Sequence, residues 1–415
     1  MENFSYYSPT LFEFGRGAEE KTGMLTFLTG AGKVMIVYGK SYAKNNGLID
    51  RIENSLNTIG IDYVEFGGVL PNPTDTLIYE GIKKARAAHI DGLVAVGGGS
   101  VIDTAKAIAA GVSYKGDFKD FFTGKKQLTE ALPVGVVLTI PGAGSEGSGN
   151  CVITFSEENR KVYLRTDSIL RPRFAVINPE MTFTLTARQT AEGVVDMTGN
   201  ALERYFSPSQ RVELTDRVIE GVLSALMSES PKALADPTDY HARANIEWAG
   251  TIAQNGVLGC GRNEDGACHA IVREICAMYP EISHGEALAI TIPAWMGFMA
   301  HHKPSKLAML GRRIFGVDEK DDRTAAIETV ASFQAFFKAI LRMPGNFGEA
   351  GIGEPDIEKL VERLHANNGE FTGAYYKLSC KDSRQIFELM LSAEQRQAQI
   401  ARAEAETPEP AAPAV

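Results

Sequence analysis

The sequence is poor in sulfur, in long apolar runs and in excess positive charge, and each lack excludes something. Its five cysteines, Cys151, Cys260, Cys268, Cys276 and Cys380, show no CxxC spacing and are odd in number. They offer no disulfide framework, so a reduced, cytoplasmic protein is expected. No stretch of about 20 uninterrupted apolar residues is present, which excludes an obvious membrane-spanning helix. Lys and Arg number 42 against 52 Asp and Glu, a net charge of −10. That balance argues against a general nucleic-acid or anionic-membrane surface. The opening stretch MENFSYYSPTLFEFG lacks the apolar segment of a signal peptide. No internal repeat is visible. What remains is a 415-residue chain of ordinary globular composition, long enough for two domains.

The first 180 or so residues alternate two patterns. KVMIVYG, DYVEFGGV, GLVAVGGGS, PVGVVLTIP and RFAVINP read as strands. The segments between them carry helical spacing, and NCVITFSEENRKVYLR reads as a hairpin. This βαβα rhythm predicts a parallel sheet with covering helices. Near residue 185 the strand signals nearly vanish, and long Ala-rich segments with helical spacing take over. We therefore expect an α/β domain over 1–185 and an all-α domain over 186–404. The Pro/Ala/Glu-rich end, 405–415, is expected to be a disordered tail.

Two glycine turns stand out. GLVAVGGGSVIDTAK places three glycines and a serine where a strand hands over to a helix, and TIPGAGSEGSG ends another strand. Helix N-termini attract anions, and glycine lets a phosphate approach the backbone. A tight turn alone would explain the first. Two such turns at strand ends of one parallel sheet suit a dinucleotide, although the spacing is not GxGxxG.

The helical half carries a polar constellation. Asp196 and Asn200, four residues apart, share one face of a helix within AEGVVDMTGNALERYF. His269 lies in an apolar-leaning helix with Arg273 and Cys276 on its face, and His284 precedes a new apolar helix. His89, His241, His301, His302 and His365 sit in polar contexts expected at the surface. A single histidine of this kind is usually a hydrogen-bonded core residue. Asp196, His269 and His284 together are an O/N/N set that Zn²⁺ or Fe²⁺ accepts.

The motifs FGRG, GGVLPNPT, AVGGGSVIDTAKAIA, TIPGAGSE, GVVDMTGNALERYF and SHGEALAITIPAWM, taken together, resemble the iron-containing (group III) alcohol dehydrogenases. Within that family the chain is similar to the branch of NADPH-dependent butanol dehydrogenases and aldehyde reductases. The resemblance implies a dehydroquinate synthase-like fold, with an α/β dinucleotide domain and a helical domain. It also implies a homodimer, and reversible hydride transfer between nicotinamide C4 and a small aldehyde or alcohol. The family's metal set is one Asp and three His, which fall on Asp196, Asn200, His269 and His284, so one ligand histidine is replaced. Asn200 could coordinate through its amide oxygen or hold a ligating water; otherwise the metal would be bound weakly or lost, with Cys268 and Cys276 as candidate soft substitutes. A family histidine close to the nicotinamide falls on Arg273. Such a cation needs a partner: Glu192, Glu274, a cofactor phosphate or an anionic group of the substrate. Arg273 and Asn200 are thus the candidate catalytic residues. The candidate cofactor contacts are Gly39, Lys40, Ser41, Asn72, Gly98, Gly99, Ser100, Thr139, Ser145, Asn150 and Lys161. Gly39 stands where NAD-using relatives carry an Asp, so NADP(H) is the expected cofactor. Two alternatives stand beside this reading. One is a glycerol dehydrogenase-like sister enzyme; the other is a metal-free homologue that binds a dinucleotide and a partner.

Overall fold

The computed structural model describes residues 1–40, 42–158, 160–166 and 168–406. Six strands form one parallel sheet: β1 (Leu11–Phe14), β2 (Lys33–Tyr38), β3 (Asp62–Phe66), β4 (Gly92–Gly98), β5 (Val134–Ile140) and β8 (Phe174–Ile177). Their spatial order is β1-β8-β5-β4-β2-β3. β4 and β8 are buried at every residue, as strands covered on both faces must be. Alternate side chains feed two cores. Met35, Val37, Leu93, Ala95, Val136 and Leu138 face the helices Asp75–Ala88 and Gly99–Ser113. Val34, Ile36, Val94, Val96 and Val137 face Leu48, Ile52 and Leu56 of the helix Leu48–Ile59. The sheet is therefore doubly wound. A separate antiparallel hairpin pairs β6 (Asn150–Phe155) with β7 (Arg160–Arg165), as its sequence predicts.

The chain runs from β2 outward to β3, then crosses back over β2 to β4. The direction of winding reverses at the β2/β4 pair. In open α/β sheets, ligands bind in the crevice beyond the carboxyl ends of the strands at such a switch point. β2 and β4 pair through Tyr38 and Val96, so Gly39 and Gly98 sit at adjacent strand ends.

The change of element type falls at Thr186, which caps the helix Ala187–Tyr205 in a reciprocal capping box with Gln189. The compact unit nevertheless continues to Glu264. The helices Ala187–Tyr205 and Tyr240–Gln254 pack back onto the turn after β5. A Cβ on Gly193 would lie 2.6 Å from the Pro141 carbonyl oxygen, so only glycine permits that approach. From Asp265 onward a second compact unit is built from helices, the longest being His284–His302. Its described residues hold no strand, only an isolated bridge between Thr372 and Leu378. The last described helix is Ala393–Glu406, and residues 407–415 of the expected tail lie outside the described residues. No helix among the described residues is long and apolar enough to cross a membrane.

Candidate active site

The crevice is built by strand ends and their turns. Gly39 follows β2, and a Cβ there would rest 3.7 Å from the Val69 carbonyl oxygen, an ordinary contact. Lys40 beside it is exposed, and Ser41 lies outside the described residues. Asn72 is exposed and adopts a left-handed backbone, φ 58°, a conformation asparagine tolerates well. Gly98 ends β4 and caps the 15-residue helix Gly99–Ser113, whose first turn carries no acidic side chain. Its backbone N–H groups suit an anion. The glycines serve packing as well: a Cβ on Gly98 would meet Ile140 Cβ at 2.9 Å, and one on Gly99 would meet Ala143 Cβ at 3.1 Å.

The second glycine turn is held from beneath by a buried cation. Lys106, with no exposed surface, donates to the Ser145 carbonyl and Oγ (both 2.7 Å) and to the carbonyls of Ser148 (2.9 Å) and Asn150 (2.8 Å). Ser145 Oγ donates in turn to Asp103 Oδ1 at 2.6 Å, and Asp103 Oδ2 accepts the Val152 N–H at 3.0 Å. The Ser145 hydroxyl is thereby engaged inside the protein, beneath the turn. Thr139 is buried at the end of β5. Asn150 Oδ1 accepts from the Tyr163 hydroxyl at 3.3 Å, and Lys161 is half-buried on β7.

The carboxylate of Asp196 reaches this same turn. A Cβ on Gly142 would sit 3.6 Å from Asp196 Oδ2, and 3.4 Å from Gly193 Cα. Two facing glycines thus let the helix carry Asp196 to the mouth of β5. Asn200, one helical turn on and buried, donates from Nδ2 to Asp196 Oδ1 at 2.9 Å.

In the second unit, His269 lies on the helix Ala267–Met278, and His284 opens the helix His284–His302. Ser283 and Glu286 form the capping box that fixes its start. The two imidazoles stand side by side, ring centroids 5.6 Å apart and tilted by 41°. His269 and His284 each offer a ring nitrogen of the kind a metal ion takes, and Asp196, in the first unit, offers a carboxylate oxygen. Cys268 and Cys276 are buried thiols on the same helix as His269.

Arg273 is half-buried and donates from Nη2 to Asn368 Oδ1 at 3.4 Å. The expected carboxylate partners are committed elsewhere. Glu274 takes Arg363 at 3.1 Å and Asn367 at 2.8 Å, and Glu192 takes Arg188 at 3.0 Å. Residue 274 follows Arg273 directly, and adjacent helical positions point to different sides. The surface expectation also needs one correction: His365 is half-buried, with Nε2 3.0 Å from Ser383 Oγ.

Several residues of the site escaped the sequence reading. Asp103 and Lys106 were legible as two charges inside the apolar run VIDTAKAIAA. Arg204 was legible too, since it continues the Asp196–Asn200 spacing by one more turn. Gln254 and the fully buried Glu247, on the helix Tyr240–Gln254, had no local signal.

Comparison with known proteins follows the same division. The family of iron-containing alcohol dehydrogenases matches residues 9–179, and the C-terminal model of the Fe-containing alcohol dehydrogenase family matches residues 190–390. The chain is 38% identical over 378 residues to the probable NADH-dependent butanol dehydrogenase 2 of Bacillus subtilis, covering 89% of this chain and 96% of that one. It is 34% identical over 391 residues to the NADPH-dependent aldehyde reductase YqhD of Escherichia coli, covering 94% and 99%. Among solved structures, the NADH-dependent butanol dehydrogenase A of Thermotoga maritima superposes with a TM-score of 0.90. It shares 36% identity, over 94% of this chain and 99% of that one.

Proposed function

From a chain that belongs to the iron-containing alcohol dehydrogenase family, and is an oxidoreductase acting on CH–OH groups, we propose a NADPH-dependent aldehyde reductase with a divalent metal held by Asp196, His269 and His284. The donor set fits such a metal. One carboxylate oxygen and two imidazole nitrogens are the ligands that Fe²⁺ and Zn²⁺ take, and three protein ligands leave a position for substrate. The side-by-side imidazoles support the assignment. So does the carboxylate seated by Gly142 and Gly193 at the β5 turn. When bound, the metal supplies Lewis-acid polarisation of a carbonyl oxygen and the nicotinamide supplies the hydride.

The chain's own residues do the rest. Gly98, Gly99 and Ser100 bring the backbone of a helix N-terminus to the pyrophosphate. Lys106 fixes the opposing turn 145–150 through its carbonyls and so shapes the crevice without touching it. Asn200 holds the Asp196 carboxylate in place. The NADPH preference rests on one observation: β2 is followed by Gly39 and an exposed Lys40, so the strand end carries no carboxylate at that position to repel a 2′-phosphate. Ordinary space exists for a side chain at Gly39, so its absence there bears on recognition. The test is kcat/KM for NADPH and NADH in wild type and Gly39→Asp. We expect a wild-type preference for NADPH that the substitution reverses; a wild-type preference for NADH refutes the reading. A homodimer in the cytoplasm completes the proposal: five cysteines with no disulfide among the described residues suit a reducing compartment, and light scattering checks the dimer.

A further inference from the structure

Asn200 occupies a position where the resemblance leads one to expect a ligand, and its own partners say what it does instead. Amide oxygen and nitrogen are distinguished by the groups they meet. A guanidinium can only donate. Arg204 Nη2 meets the Gln254 side chain at 2.8 Å, which makes the Gln254 atom there its oxygen. Gln254 must then present Nε2 to Asn200, 2.5 Å away, so the Asn200 atom that accepts it is Oδ1. The remaining end of Asn200, facing Asp196 Oδ1 at 2.9 Å, is the Nδ2 donor. One buried cation thus sets the direction of three successive hydrogen bonds.

Arg204 is well fixed for this task. It is 7% exposed, its Nη1 donates to the Asn200 carbonyl at 2.6 Å, and its Nε stands 3.6 Å from Glu264. Gln254 is held against the glycine turn, where Gly144 (φ 62°) leaves room for its Cβ and Cγ. Asn200 itself is 3% exposed.

We infer that Asn200 is a positioning residue whose amide, directed by Arg204 through Gln254, aims and holds the Asp196 carboxylate as a metal ligand without binding the metal itself. This rests on the reading of Asp196 as a ligand. Hydrogen bonds behind a ligand contribute to metal affinity because they fix its orientation, and losing one weakens binding about 10- to 100-fold.

The direction of the chain can be tested at Gln254, which does not touch Asp196. Gln254→Glu keeps the acceptor for Arg204 but cannot donate to Asn200. The Asn200 amide then turns over and offers oxygen to the Asp196 carboxylate. Metal dissociation constants for Zn²⁺ and Fe²⁺ would be measured by chelator competition on the full chain, with thermal unfolding of the metal-free protein as the folding check. We expect Gln254→Glu and Asn200→Ala each to weaken binding by about tenfold or more, and the two together to weaken it no more than Asn200→Ala alone. Gln254→Met, close in length and uncharged, should weaken binding in the same direction and serves if the Glu variant does not fold. Additive losses in the double variant, or wild-type affinity in both Gln254 variants, would overturn the inference. Asp196→Asn separates the premise: if it retains wild-type affinity, the ligand reading fails. If it loses the metal while the Gln254 variants keep theirs, only the relay fails.

Discussion

Glu247 is a group whose titration should be felt in stability. It is 2% exposed in a small enclosed space lined by Pro141, Thr182, Leu185, Met197, Arg243 and Ile246. Its Oε1 has no hydrogen-bond partner among the described residues. Burial pushes its carboxyl from the ordinary 4.5 up to about 8, with the equally buried Glu146 adding to the shift and Arg243 opposing it. The Thr182 hydroxyl opposes the shift only by turning its proton away from the Pro179 carbonyl, which it engages at 2.7 Å. The native state therefore carries a proton on Glu247 across a range where the unfolded chain does not. A folded pKa above the unfolded one gives stability that is complete below about pH 4.5 and is lost as pH rises through about 8. Between pH 5 and 9 the loss from this one group should be on the order of 4 kcal/mol. Glu247→Gln keeps the shape and removes the proton. Chemical denaturation of wild type and variant at steps from pH 5 to 9 isolates the contribution, because every other group cancels in the difference. We expect the variant to gain steadily on wild type as pH rises. A difference that stays constant across that range would show Glu247 ionised in the native protein throughout, and would refute the reasoning.

Two further predictions concern buried or half-buried cations. Lys106→Met leaves four oxygens of the turn 145–150 without their donor, so it should cost about 3–5 kcal/mol in unfolding free energy and raise KM for the dinucleotide. Unchanged values of both would remove Lys106 from the turn's support. Arg273 has a single weak amide partner and no carboxylate among the described residues. Succinic semialdehyde and sulfoacetaldehyde should therefore lose about 10- to 150-fold in kcat/KM on Arg273→His through a lost charge-assisted contact, with butanal little affected. If butanal is the better substrate in both proteins and the ranking does not move, Arg273 has no role in gripping an anion.

The sequence made the parallel sheet legible because its central strands are buried on both faces and so read as continuous apolar runs. GLVAVGG and VGVVLTI cannot be mistaken for surface segments. β1 was not legible. LFEF is four residues long and half-exposed, and it joins the sheet by pairing with β8, which begins at Phe174; no local pattern records a pairing across that distance. The glycine turns were legible by composition, but their glycines proved to serve two ends. Gly98, Gly99 and Gly193 are required by what a Cβ would strike, a fact that exists only once Ile140, Ala143 and Pro141 are in place.

The polar half of the site divides in the same way, and the division explains what Asn200 looked like from sequence alone. Asp196 and Asn200 were visible as a pair because helical spacing is local, and by the same rule Arg204 belonged with them. The spacing gives proximity but not the direction of a hydrogen bond. An amide next to a carboxylate can face it with nitrogen and brace it, or face away and offer oxygen to a metal. The choice is made by Gln254, fifty residues further on and bound to Arg204 at 2.8 Å. A helix that brings a carboxylate, an amide and a guanidinium onto one face at successive turns therefore leaves its function undecided. A second helix closes the chain of donors, and that closure turns a missing ligand into a support for the one beside it.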